Sequence, residues 1–205
     1  METKRTSQVA EQNTDLPQAR ETLVLASGSP RRADILRAVE WPFEMEAADV
    51  DETLRGGESA ARYVERLVRE KAEAVAARRL FGLVLGADTT VVVDGEIFAK
   101  PCDEAEARSM LRRLRGRWHE VLTGVALVRA ETKQAITAHE STRVRFAPMT
   151  DAEIDWYVST NEPADKAGAY AVQGRGALFI EAIDGDYWNV VGLPIRLVYE
   201  LSAKI

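Results

Sequence analysis

The sequence predicts an α/β fold: a mixed central sheet with helices on both sides. Three observations carry that prediction. Short apolar runs alternate with helical patterns through the first half, and two long strand patterns follow one another directly in the second. Glycine and proline, at 13 and 7 of 205 residues, are too few for a linker or low-complexity chain. At ~100–200 residues per domain, this length fits one compact domain with room for two lobes about a cleft.

The elements follow in order. Residues 1–21 are polar and aperiodic, with no apolar run after Lys4 and Arg5, so they read as an N-terminal extension and not a signal peptide. Leu23-Val24-Leu25-Ala26 is a buried strand, bounded by the turn residues Ser27-Gly28-Ser29-Pro30. Ile35, Leu36 and Val39 then mark one helix face over residues 31–40, with Ser29 and Pro30 at its N-cap and first turn. Residues 43–48 alternate as a second strand.

The longest helical pattern spans residues 59–79, with Tyr63, Leu67, Val68, Ala72 and Val75 on its apolar face. Residues 83–87 and 90–93 are strand segments flanking Asp88-Thr89. Asp94-Gly95 is a hairpin signal leading into residues 96–99. A helix over 103–115 stops at Gly116. Strands over 121–129 and 135–146 follow, then a helix over 151–159 capped by Thr150. Residues 169–191 read as irregular strands, and Pro194 opens a last helix to residue 203.

Charge and composition exclude several classes. Twenty-seven Lys and Arg against 33 Asp and Glu leave a net charge of −6, the opposite of a general nucleic-acid footprint. A local basic cluster for a small anion is compatible with that balance. Cys102 is the only cysteine, so no intramolecular disulfide forms and no zinc spacing exists. The longest apolar run, residues 81–87, is far below the ~20 residues that span a bilayer. A cytoplasmic protein is therefore expected.

Candidate chemistry sits at a few places. Ser27-Gly28-Ser29-Pro30-Arg31-Arg32 joins a strand to a helix N-terminus, which is a ready anion site. Two guanidiniums there suit phosphate oxygens. The alternative is a capped helix with solvated arginines, which leaves unexplained a cationic pair at the positive end of a helix dipole. Asp88, in Gly86-Ala87-Asp88-Thr89, could orient a divalent cation or accept a proton from water. By local pattern alone, an Asx-turn residue closing a strand is the commoner role. Lys71 reads as a solvated helix residue, Lys100 as a more suggestive strand-end lysine, and Glu52 as one acid among many. No Walker loop, G-x-S-x-G elbow or dinucleotide fingerprint is present, and His119 and His139 carry no ligand spacing.

These segments together resemble the Maf family of nucleoside triphosphate pyrophosphatases. The likeness runs in order through Leu25 to Arg32, Arg69-Glu70-Lys71-Ala72, Gly86 to Thr89 and Ala99-Lys100-Pro101. It continues through Asp165-Lys166-Ala167-Gly168-Ala169-Tyr170, Val172-Gln173-Gly174 and Asn189 to Pro194, covering the chain from Leu23 onward. The resemblance implies two lobes around a deep cleft, similar to the inosine triphosphate pyrophosphatase fold. It implies hydrolysis of a nucleoside triphosphate to the monophosphate and pyrophosphate with a divalent cation, magnesium or manganese. The segment ending in Gln173 is similar to the branch acting on dTTP and UTP. Alternatives are the same reaction on another base, such as 7-methyl-GTP, or a nucleotide-binding regulator of cell division.

By the same resemblance, Asp88 matches the proton acceptor, and Arg31, Thr89 and Gln173 match specificity positions. Ser29, Arg32, Lys71 and Lys100 match positions lining the substrate site, and Glu52 with Asp88 would hold the metal. The implied partner is a small nucleoside triphosphate, with no nucleic-acid polymer and no membrane, and with a homodimer expected. Ala99, Ala171-Val172 and Trp188 depart from the family's usual residues, where they would narrow the base pocket or shift a loop.

Overall fold

The computed structural model describes residues 20–205. Seven strands form one sheet: β1 (Leu23–Leu25), β2 (Phe43–Met45), β3 (Leu83–Val93), β4 (Glu96–Phe98), β5 (Trp118–Arg129), β6 (Ala135–Phe146) and β7 (Ile180–Asp184). Their order is β2-β1-β3-β5-β6-β7, with β4 beside the far end of β3. The pairs β1–β2 and β1–β3 are parallel and the rest antiparallel, which is the mixed sheet expected from the order of patterns.

The helices are α1 (Pro30–Ala38), α2 (Ala60–Ala76), α3 (Glu104–Leu114), α4 (Asp151–Ser159), α5 (Tyr187–Val191) and α6 (Ile195–Ser202). Alternation along the strands sends successive side chains to opposite layers. Val24, Val84, Ala126 and Val128 pack with Val68, Ala72 and Val75 of α2. Leu23, Leu25, Leu83, Leu85 and Leu127 pack on the other face with Ile35 and Leu36 of α1 and Val198 and Leu201 of α6. Helices therefore cover both sides of the sheet.

A third apolar cluster gathers at the far end of β3 and β5. Val91, Val93, Val121 and Phe146 meet Leu111 and Leu114 of α3 and Ile154 and Tyr157 of α4 there. Thr150 is the expected cap of α4 and forms a reciprocal capping box with Glu153, while Asp103, expected as the first residue of α3, is its N-cap and accepts from the Glu106 N–H. The hairpin between β3 and β4 turns on Asp94 and Gly95 with φ of 54° and 82°, as a two-residue primed turn requires.

The structure corrects several local expectations. β3 runs unbroken through Asp88-Thr89, because β5 pairs with it from Leu83 opposite Arg129 to Val92 opposite Glu120. The ladder supplies the backbone partners that an Asx turn would otherwise provide. Residues 169–191 are not irregular strands. They contain the end of a 3₁₀ turn at Ala167–Ala169, a second at Gly174–Phe179, then β7 and α5. Ser29 stands at the N-cap of α1 without a side-chain cap bond; its N–H instead donates to Ser27 Oγ at 3.2 Å. β2 ends at Met45, three residues earlier than the alternation suggested.

Of the expected extension, residues 1–19 lie outside the described residues. Arg20 and Glu21 are tied to the domain: Arg20 donates to the Val39 carbonyl, and the Glu21 carbonyl accepts from the Trp41 indole. No helix among the described residues is long and apolar enough to cross a membrane.

Candidate active site

A cleft of about 530 Å³ opens where β1 has ended and β3 continues. Its near wall is the Ser27–Arg32 turn, its far wall residues 165–173, and Asp88 and Thr89 lie between. All nine residues singled out in the sequence line it: Ser29, Arg31, Arg32, Glu52, Lys71, Asp88, Thr89, Lys100 and Gln173.

Close packing of α2 on the sheet brings Lys71 to Asp88. A Cβ on Gly86 would stand 2.2 Å from the Val68 carbonyl oxygen, and one on Gly124 would stand 2.7 Å from that of Val64. Only glycine permits this approach, and Gly124 is the residue paired with Asp88 across the ladder. Lys71 is buried and not the solvated helix lysine its neighbours suggested. Its Nζ donates to Asp88 Oδ1 at 2.6 Å and lies 2.6 Å from Glu52 Oε1. Glu52 comes from the loop before α2, held there by the Tyr63 hydroxyl, which donates to its backbone carbonyl at 3.0 Å.

Electrostatics follow from these contacts. Burial raises the Glu52 carboxyl, but the Lys71 hydrogen bond and the charges of Lys71, Lys100 and Arg32 outweigh it and hold Glu52 below its usual range. Burial, with Asp88 and Glu52 nearby, pushes the Tyr63 phenol up to about 12, so it remains a donor at neutral pH.

Arg32 anchors the opposite wall. Its Nε donates to the Gly192 carbonyl at 2.9 Å, one Nη to Ser27 Oγ at 2.8 Å and the other to Thr89 Oγ1 at 3.3 Å. Gly192 follows the last turn of α5, so the guanidinium sits at the negative end of a helix and recovers part of what it costs near the start of α1. Burial lowers the Arg32 pKa, which Asp88 partly offsets. Thr89 Oγ1 also bonds Thr123 Oγ1 at 2.9 Å, and Arg31 reaches Asp165 at 3.7 Å. Lys100 and Gln173 are exposed along the rim of the cleft.

Reasoning from single residues missed the supports: Ser27 and Gly192 under Arg32, Tyr63 under Glu52, and Lys166 against Asp165. Their motifs were visible, but no local pattern says which neighbour a side chain meets. Trp188, expected near the base pocket, packs instead against the core beside α6 and does not line the cleft. Ala99, Ala171 and Val172 do line it.

Glu52 and Asp88 are the residues that could hold a divalent cation. Two hard carboxylate oxygens, from Glu52 and Asp88, converge on one point, now filled by the Lys71 ammonium. Magnesium is commonly held by one or two carboxylates together with substrate phosphates. Among the described residues no third His, Cys, Asp or Glu joins the pair.

Fold and site together define an α/β protein with a cleft built for a polyanion beside a paired carboxylate and ammonium. The chain belongs to the Maf-like protein family, whose profile matches residues 22–205. It is 54% identical over 182 residues to the dTTP/UTP pyrophosphatase of Symbiobacterium thermophilum, covering 89% of this chain and 93% of that protein. Identity to the dTTP/UTP pyrophosphatase of Hahella chejuensis is 51% over 193 residues, covering 91% and 95%. The corresponding Bacillus cytotoxicus protein is 50% identical over 180 residues, covering 87% and 93%. The Staphylococcus aureus Ham1 protein structure superposes with a TM-score of 0.51 at 17% identity, over 90% of this chain and 100% of that one; the likeness is one of fold.

Proposed function

We propose that this protein hydrolyses dTTP and UTP to the monophosphate and pyrophosphate. The observation that carries the reading is the convergence of Arg31, Arg32, Lys71 and Lys100 with Asp88 in one cleft. Relatives about half identical over most of their length bear the corresponding name.

A nucleoside triphosphate brings about four negative charges into a site where water solvates them less well, and fixed cations there stabilise the charge that accumulates on bond cleavage. Arg32, its fork held by Ser27, Thr89 and the Gly192 carbonyl, meets that charge without reorganising. Arg31 and Lys100, less tightly held, close on the phosphate chain from the rim. Water attacks the α-phosphorus, its proton passes to Asp88, the α–β bridging bond breaks, and pyrophosphate leaves toward the cationic side. Asp88 is oriented for this by Lys71 through one oxygen, while its other oxygen has no partner among the described residues. Glu52 and Asp88 would hold magnesium or manganese, which when bound neutralises phosphate charge and acidifies water.

With its amide oxygen turned to the ring N–H, Gln173 places its donor on the adjacent carbonyl of uracil or thymine; in that orientation it is mismatched to cytosine, whose ring nitrogen at that place carries no proton. We extend the reading to a cytoplasmic location, where nucleotide pools are kept, and, by the family resemblance alone, to a homodimer. A panel of nucleoside triphosphates assayed for pyrophosphate release, with and without magnesium, tests it. UTP and dTTP should lead the panel. Tight UTP binding without turnover in any metal would overturn the reading in favour of a nucleotide-binding regulator.

A further inference from the structure

Gln173 has no side-chain hydrogen bond among the described residues, yet the backbone on both sides of it is held by one pair of groups that do not line the cleft. The Tyr157 hydroxyl, on the fully buried ring of α4, accepts from the Ala171 N–H at 3.2 Å and donates to Glu162 Oε1 at 2.9 Å. Glu162 in turn accepts from the Gly176 N–H at 2.9 Å and, through its other oxygen, from the Arg175 N–H at 3.0 Å. Residues before and after Gln173 are thus tied to a single carboxylate–phenol pair.

The fit leaves no slack. A Cβ on Gly174, whose φ is 77°, would stand 2.7 Å from Glu162 Oε2. One on Gly176 would stand 2.7 Å from the Tyr157 oxygen and 2.2 Å from the Ala171 carbonyl. Burial raises the Glu162 carboxyl, but the Arg175 and Gly176 amides and the Tyr157 hydroxyl outweigh this and lower it, so Glu162 stays ionised at neutral pH.

We propose that Tyr157 and Glu162 are positioning residues: a latch that fixes the 171–176 loop and so sets how sharply Gln173 discriminates among bases. The proposal rests on the base-reading role given to Gln173 above. An amide at position 162 would keep one acceptor and turn the other oxygen into a donor facing the Arg175 or the Gly176 N–H. A phenylalanine at 157 would leave the Ala171 N–H unpaired while keeping the ring. Either change frees the loop without touching the cationic wall or Asp88.

The test is steady-state pyrophosphate release from UTP and CTP by wild type, Glu162→Gln, Tyr157→Phe and Gln173→Ala. The latch predicts that KM for UTP rises about tenfold in both latch variants while kcat changes less than about threefold, and that the UTP-over-CTP ratio of kcat/KM falls about tenfold toward that of Gln173→Ala. A purely structural role predicts lower Tm and a smaller active fraction, with KM and the ratio unmoved; that result overturns the latch. Neither KM nor the ratio depends on how much enzyme is folded, so partly unfolded variants still decide the matter. Should wild type turn over CTP as well as UTP, base reading by Gln173 fails first and the latch with it. If Gln173→Ala loses discrimination and both latch variants keep it, the latch alone fails.

Discussion

Asp88 and Thr89 are neighbours in β3 and face opposite sides of the sheet, Asp88 toward Lys71 of α2 and Thr89 toward Arg32 of α1. Both still line one cleft, because β1 stops at Leu25 and leaves the middle of β3 uncovered on that edge. One dipeptide therefore connects the carboxylate–ammonium pair on one face to the anchored guanidinium on the other.

Replacing Asp88 by Asn removes the proposed proton acceptor while keeping size and one acceptor oxygen. Turnover of UTP should fall by about 10²–10⁴-fold, the usual span for a lost general base. UTP binding followed by calorimetry should persist. An unchanged rate would remove Asp88 from the chemistry.

Lys71→Met leaves the Glu52 and Asp88 carboxylates facing each other without their shared cation. Breaking a fully buried pair costs about 3–5 kcal/mol. The Glu52 side chain is 53% exposed, so solvent screening should reduce the loss to about 1–3 kcal/mol. Urea titration at neutral pH measures it.

Arg32→Lys keeps the charge and loses the fork. A lysine cannot reach Gly192, Ser27 and Thr89 together, so kcat/KM for UTP should drop about 10–100-fold. Wild-type kinetics in this variant would mean that charge alone suffices at the position.

Gln173→Glu exchanges the amide donor for an acceptor-only carboxylate. The side chain is exposed, so Tm should hold, whereas kcat/KM for UTP and dTTP should fall about tenfold or more. Retained selectivity in this variant would exclude the base-reading role.

His119 gives stability a pH dependence. It lies buried between Phe146 and Tyr170, its Nε2 2.7 Å from the Tyr170 hydroxyl and its Nδ1 without a partner among the described residues. Burial pulls its pKa down from 6.5 to about 4. Below pH 6.5 the unfolded chain takes up a proton that the folded protein refuses until about pH 4. Stability from this group is therefore complete above pH 6.5 and declines as pH falls through that window, by about 3 kcal/mol in all. Denaturation curves between pH 7 and 4 should show this loss in wild type, and His119→Gln should lack that component.

The sheet and most helices are legible in the sequence because each depends on periodicity and on local stops: Thr150 as a cap, Gly116 as a helix stop, Asp94-Gly95 as a turn. The stretch from 169 to 191 is not. Its 171–176 loop is held by Glu162 and Tyr157 and its strand by pairing with β6, and a window of neighbouring residues contains none of these partners. Lys71 misleads for the same reason: among Arg69, Glu70 and Glu73 it looks like a surface residue, and its burial follows from Gly86 and Gly124 on other elements.

Spacing along the chain was enough to set the class of fold and the layering of apolar faces, and the resemblance of its ordered motifs to the family pointed to the charged residues expected in the cleft. Those properties are local, and each residue's contribution to them is additive. Packing in three dimensions was needed to put Lys71 between Glu52 and Asp88, to brace Arg32 on Gly192, and to tie Arg175 and Gly176, beside Gln173, to the Glu162 carboxylate. Each of these needs two distant segments to approach within a hydrogen bond, and only the packed core sets that distance.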